Sequence, residues 1–182
     1  MLSTISYTAG FIEKPEDIFA AMWAGLAWER RGSTPRREYY CSDIAVPYTY
    51  GSGLGVRTYE PNVWTPEIMA IRSACETALD VKFEVCFVNG YETSKDQLGW
   101  HADNSPEMDD ARPIAIVTLG AAREIWFCPM EDKSDVTKVL LETGSLCVMA
   151  AGSQDTHLHR IPKASYDCGP RISLTLRGYA PV

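Results

Sequence analysis

Paired cysteines are missing from this chain. Its six cysteines, Cys41, Cys75, Cys86, Cys128, Cys147 and Cys168, are scattered and never form a CxxC pair. That excludes a zinc ribbon and argues against a disulfide scaffold; free, mostly buried thiols in a reducing cytosol are expected instead. No run of about 18 apolar residues occurs, so no membrane-spanning helix is expected. The N-terminus, MLSTISYTAGFIEKPED, lacks a basic stretch followed by an apolar one and does not read as a signal peptide. Basic residues are in the minority, 17 against 24 acidic, for a net charge of −7. This balance counts against a phosphate-rich partner. One local run, Arg30, Arg31, Arg36 and Arg37, counts the other way, although such a run is equally a solvated helix end followed by a loop. Histidine is scarce: His101, His157 and His159 are the only three.

What remains is ordinary for a globular chain. With 182 residues, 46% of them hydrophobic and 23% charged, one domain with a sizeable core is expected over 1–182, divided into helices and a substrate lid (1–80) and a β core (81–182). Pro15 opens an amphipathic helix read as far as Arg31, with Ile18, Phe19, Met22, Trp23 and Leu26 at helical spacing. Residues 32–64 read as loops with short strands. Thr65-Pro66 is an N-cap followed by Pro, and opens a second helix with the face Ile68, Ile71, Cys75 and Leu79. In KFEVCFVNGY, strand alternation places Phe83, Val85, Phe87, Asn89 and Tyr91 on one face. Further strands are expected at Pro113–Leu119, Glu124–Cys128, Lys138–Glu142, Ser145–Ala150 and Arg171–Arg177. About six short strands suggest an antiparallel sandwich or barrel, an α+β but mainly β fold with the two helices packed outside.

All three histidines lie in the strand-rich half. His101 and Asp103 form an HxD pair within GWHADN, and a third histidine on a distant strand would complete a two-histidine, one-carboxylate face. Such a face leaves metal positions open, the arrangement of non-haem Fe(II) oxygenases. HxD alone is equally a polar turn; its surroundings strengthen it. His159 follows in HRIP, then Arg171 and Arg177 in RISLTLR, where Arg171, Ser173, Thr175 and Arg177 share a strand face. Arginine is costly on the inner face of a sheet unless it meets an anion. A dicarboxylate is a natural partner, because a guanidinium binds a carboxylate through two parallel hydrogen bonds.

The ordered set NGY, GWHAD, HRIP and RISLTLR resembles the AlkB family of Fe(II)- and 2-oxoglutarate-dependent dioxygenases, from about Trp28 to Tyr179. PRREYY, YTYGSG and VRTYEPNVW resemble its substrate lid, nearest the branch that repairs alkylated duplex DNA. The resemblance implies a double-stranded β-helix (jelly-roll) core. It implies that His101, Asp103 and His159 bind Fe(II) and carry catalysis, and that Asn89, Tyr91, Arg171, Ser173, Thr175 and Arg177 bind 2-oxoglutarate. Tyr50, Tyr59, Glu60, Asn104, Arg36 and Arg37 fall at substrate-contacting positions. The implied reaction consumes O2 and 2-oxoglutarate and removes alkyl groups of the 1-methyladenine or 3-methylcytosine type from a flipped-out base, releasing succinate, CO2 and formaldehyde. Nucleic acid, DNA before RNA, is the implied partner, and a monomer in the cytoplasm (the nucleus, in a eukaryote) is expected.

The chain departs from the family pattern at three places. Ser173 stands where the last motif usually has Asn, Asn104 stands where relatives commonly carry an acid, and His157 rivals His159 as a ligand. His159 is preferred because Arg160-Ile161-Pro162 follows it as in the family motif. Three other readings stay open: a hydroxylase of RNA, modified nucleotides or protein; a metal- or nucleic-acid-binding module without turnover; and a zinc hydrolase built on the three histidines.

Overall fold

The computed structural model describes residues 4–31, 34–45, 47–50 and 56–180, without the side chain of Tyr50. The described residues form two α-helices, α1 (Pro15–Gly25) and α2 (Pro66–Leu79), and twelve strands. The strands are β1 (Ile5–Thr8), β2 (Arg37–Ser42), β3 (Tyr48–Tyr50), β4 (Arg57–Tyr59), β5 (Val85–Tyr91), β6 (Leu98–His101), β7 (Ile114–Gly120), β8 (Arg123–Pro129), β9 (Thr137–Leu141), β10 (Ser145–Met149), β11 (His157–Ile161) and β12 (Arg171–Arg177).

Three antiparallel sheets result: six strands ordered β1-β10-β7-β12-β5-β2, four ordered β6-β11-β8-β9, and the hairpin β3-β4. The large sheet is covered on both faces. Its outer face, with Val88, Val117, Ile172 and Leu174, packs under Met22 and Leu26 of the α1 region and Ile68, Ile71 and Cys75 of α2. Its inner face, with Ile114, Ile116 and Met149, meets Ile125, Phe127, Leu141 and Ile161 of the small sheet. Double burial explains why β7 opens on the apolar run IAIV rather than on an alternation. This is the expected mainly β jelly-roll with its helices outside, and five of the six cysteines are buried, all six as free thiols.

The first helix is shorter than its periodicity suggests: it ends at Gly25, not Arg31. Leu26 is already extended, and Glu29 leaves to exchange two backbone hydrogen bonds with Glu38, both 2.8 Å, at the edge of the large sheet. Pairing with an open sheet edge satisfies both the N–H and the C=O of Glu29, whereas the last turn of a helix would leave its carbonyls bare. Arg30 and Arg31 are therefore not a helix end. The Thr65 hydroxyl caps α2 as expected, accepting from the Ile68 N–H at 3.4 Å. Strands β1, β6 and β11 were not foreseen from alternation; two of them carry the histidines.

Candidate functional site

The small sheet brings the candidate metal-binding side chains together. His101 ends β6, and His159 lies directly opposite it on β11. Residues facing each other across an antiparallel pair share a face, so both imidazoles project to the same side, with ring centroids 4.2 Å apart. Asp103, two residues beyond His101, turns back to them: its Oδ1 lies 3.5 Å from His101 Nε2 and its Oδ2 3.6 Å from His159 Nε2. One ligand atom from each residue falls within 4.8 Å of the others. His101 Nδ1 lies 2.8 Å from the Gly99 carbonyl; a carbonyl only accepts, so Nδ1 carries a proton and the ring turns Nε2 towards Asp103. Burial, reinforced by His101, pushes the His159 imidazole down to about 3 and keeps it in the neutral, ligating form. Burial works to raise Asp103, but His159, His101 and Arg177 outweigh it and hold the carboxyl below its usual range.

The loop carrying Asp103 is fixed from two sides. Its N–H donates to Gln154 Oε1 at 2.9 Å, and its carbonyl accepts from Arg177 Nη2. Gln154 is buried in the 3-10 turn Ser153–Asp155.

On the facing sheet, Arg171 is fully covered. Its Nη2 donates to Thr118 Oγ1 at 2.9 Å and to Ser173 Oγ at 3.3 Å, and its guanidinium lies 5.1 Å over the Tyr91 ring. Burial lowers its pKa to about 10, which leaves it charged at neutral pH. Yet among the described residues Nε and Nη1 have no hydrogen-bond partner, and neither has Nε of Arg177. A buried guanidinium without a counter-ion costs several kcal/mol. The donors left open on Arg171 fit a carboxylate, as two imidazoles and the ionised Asp103 fit a divalent iron.

These groups line an open cavity of ≈ 680 Å³ between the sheets, with Asn89, Tyr91, Ser173, Thr175 and Arg177 on one wall and His101, Asp103 and His159 on the other. Arg171 sits just behind Tyr91.

The expected substrate residues are dispersed. Arg36 lines the cavity. Arg37 instead pairs with Glu92 at 2.5 Å and lies over Trp23. Tyr59 is covered: its hydroxyl donates to Glu38 at 2.6 Å, its ring meets Phe87 edge-on and Arg31 lies across its face. Glu60 and Asn104 are exposed. The Tyr50 side chain and residues 51–55 of the lid lie outside the described residues. His157 is hydrogen-bonded to Thr156 at 2.8 Å and is not in the metal-binding group, which counts against a three-histidine zinc site. Tyr48, Met108 and Gln154 escaped the sequence reading although the first two line the cavity; only the lid segment YTYGSG hinted at Tyr48.

Comparison with known proteins agrees with this geometry. The 2OG-Fe(II) oxygenase superfamily matches residues 34–177. The alpha-ketoglutarate-dependent dioxygenase alkB homolog 3 of Homo sapiens is 31% identical over 99% of this chain and 68% of its own length. The DNA oxidative demethylase ALKBH2 of Bos taurus is 28% identical over 93% of this chain and 63% of its own length. The solved structure of OsALKBH1 shares the fold, with a TM-score of 0.69 at 16% identity over 97% of this chain and 99% of that one. The chain thus belongs to the AlkB family of Fe(II)- and 2-oxoglutarate-dependent dioxygenases.

Proposed function

We propose that this dioxygenase removes alkyl groups from nitrogen atoms of nucleic-acid bases, in DNA before RNA. The observation that carries the reading is the cavity in which the group His101, Asp103 and His159 faces a wall backed by a buried, anion-seeking Arg171. The choice of substrate is supported by the name of the bovine relative, a DNA oxidative demethylase. Iron with 2-oxoglutarate and O2 supplies the oxidation that turns an N-alkyl carbon into formaldehyde, with succinate and CO2 as co-products.

This chain's residues do the rest. His101, Asp103 and His159 hold the ion on one wall, and His159 stays unprotonated because it is buried. Arg171 grips the far carboxylate of the diacid, its Nη2 steadied by Thr118 and Ser173, while Asn89 and Tyr91 offer further hydrogen bonds. Arg177 holds the Asp103 loop, and its Nε has no hydrogen-bond partner among the described residues. Leu98, Ile116, Ile125 and Ile161 make the lining apolar and keep water from the reacting carbon.

The test is to incubate iron-loaded protein with 2-oxoglutarate and short DNA carrying 1-methyladenine or 3-methylcytosine, reading succinate and base mass together. Methyl loss with matching succinate, both absent in His159→Ala, is expected. Succinate without any change in the base would move the search to RNA, nucleotides or protein; no succinate from folded, loaded protein would overturn the assignment of the site.

A further inference from the structure

We propose that Gln154 is a positioning residue for the metal: by holding the backbone of Asp103, it sets how tightly the candidate metal-binding group takes a divalent ion. The inference rests on the assignment of His101, Asp103 and His159 to that group, and not on the choice of substrate. Two of the three are placed by sheet register, His101 at the end of β6 and His159 opposite it on β11. Asp103 lies beyond the end of β6 and belongs to no strand. Its place is therefore set by what its own peptide groups meet. The carbonyl accepts from Arg177 Nη2, and the N–H donates to Gln154 Oε1 at 2.9 Å. Gln154 sits in the 3-10 turn Ser153–Asp155, on the short segment that leads into β11 and His159. One hydrogen bond thus ties the loop ligand to the approach of a strand ligand.

Gln154 is built as a fixed acceptor. It is only 3% exposed. A backbone N–H only donates, so the amide atom facing Asp103 is the oxygen. The other half of the amide is held as well: Nε2 donates to Ser153 Oγ at 3.0 Å and to Met149 Sδ at 3.5 Å. The turn around it is anchored to three other parts of the chain. The Ala150 N–H donates to the Thr4 carbonyl at 2.8 Å, the Gly152 N–H to the Asp110 carbonyl at 2.9 Å, and the Met130 N–H to the Thr156 carbonyl at 2.9 Å. An acceptor so anchored cannot follow Asp103 if the loop drifts. Gln154 is not among the residues that line the cavity, so it acts through Asp103 and not on a ligand. Hydrogen bonds behind a metal ligand orient it before the ion arrives, and their loss weakens metal binding.

The experiment titrates the metal-free protein with Co(II) and reads affinity from the visible absorption of the bound ion, with thermal melts to show that each variant is folded. Gln154→Met, similar in length but without the acceptor oxygen, should bind Co(II) roughly 10- to 100-fold more weakly than wild type. Gln154→Glu restores an oxygen at that place and should recover most of the loss. Should Gln154→Met fail to fold, Gln154→Asn, which draws the oxygen back from Asp103, carries the same expectation. The decisive comparison is made in Asp103→Ala. There Gln154→Met should change the affinity by less than about twofold, because nothing is left for Gln154 to position. A merely structural role would cost the same affinity in both backgrounds. Equal losses in the two backgrounds, or wild-type affinity in Gln154→Met, overturn the role of Gln154 while the metal-binding assignment stands. If Asp103→Ala itself binds Co(II) as wild type does, the assignment of Asp103 falls and the role of Gln154 with it.

Discussion

At the scale of single residues, Arg171 carries the largest unbalanced charge. It is fully covered, its pKa is pulled down to about 10 by burial, and two of its three nitrogens lack hydrogen-bond partners among the described residues. Ligand-free, such a side chain destabilises the fold, because the desolvation of the ion is not repaid. Replacing it with an apolar side chain of similar length removes that cost. Arg171→Met should melt no lower than wild type in the absence of 2-oxoglutarate. The wild type should gain stability as the diacid is added to the metal-loaded protein, following ligand linkage, and the variant should gain little. Thermal melts with and without the diacid read both effects. A variant that melts far below wild type when ligand-free would show that Thr118 and Ser173 already repay the burial of the ion.

At the scale of elements, the segments with a single environment were readable and those with a borrowed one were not. α2, β7 and β12 follow from caps and apolar runs because both ends and both faces are decided locally. α1 overran because Glu29 is captured by Glu38, a partner that periodicity cannot announce. β6 and β11 were missed because their polar residues face a cavity and their pairing shifts register between His159 and Ile161. A local tie joins α2 to the chain before β5. Burial would raise Glu76, but Lys82, the Phe83 N–H and Arg72 donate to it and hold its carboxyl at about 2. A carboxyl depressed from 4.5 stabilises the fold above that pH and loses the contribution as pH falls toward 2. Glu76→Gln should therefore cost about 1–3 kcal/mol at pH 7, and the gap to wild type should close between pH 4.5 and 2. Urea melts across that range measure it; a gap independent of pH would mean that packing, not charge, is lost.

At the scale of the whole molecule, the candidate metal-binding group was legible because histidine is scarce and HxD, HRIP and the two arginines come in order. Glu38 and Gln154 were not, because they meet Asn89 and Asp103 only through sheet register and a buried turn. The basic run was legible as composition but not as charge. Glu92 takes both Arg30 and Arg37, each at 2.5 Å, and Glu29 takes Arg31 at 2.6 Å. On a chain of net charge −7, a run so neutralised offers phosphates little. Glu92→Gln releases two guanidinium groups beside β2, the strand that follows the cavity-lining Arg36. Its exposed pairs contribute only about 0–1 kcal/mol, so the fold should survive the change. If nucleic acid crosses this surface, the variant should bind short DNA several-fold more tightly at low salt. Its affinity should also fall more steeply with salt, the log–log slope growing by about one to two units as each freed arginine meets a phosphate. Titrations at several salt concentrations decide between the routes to the cavity: an unchanged slope would send the strand past the opposite rim, away from Arg30 and Arg37.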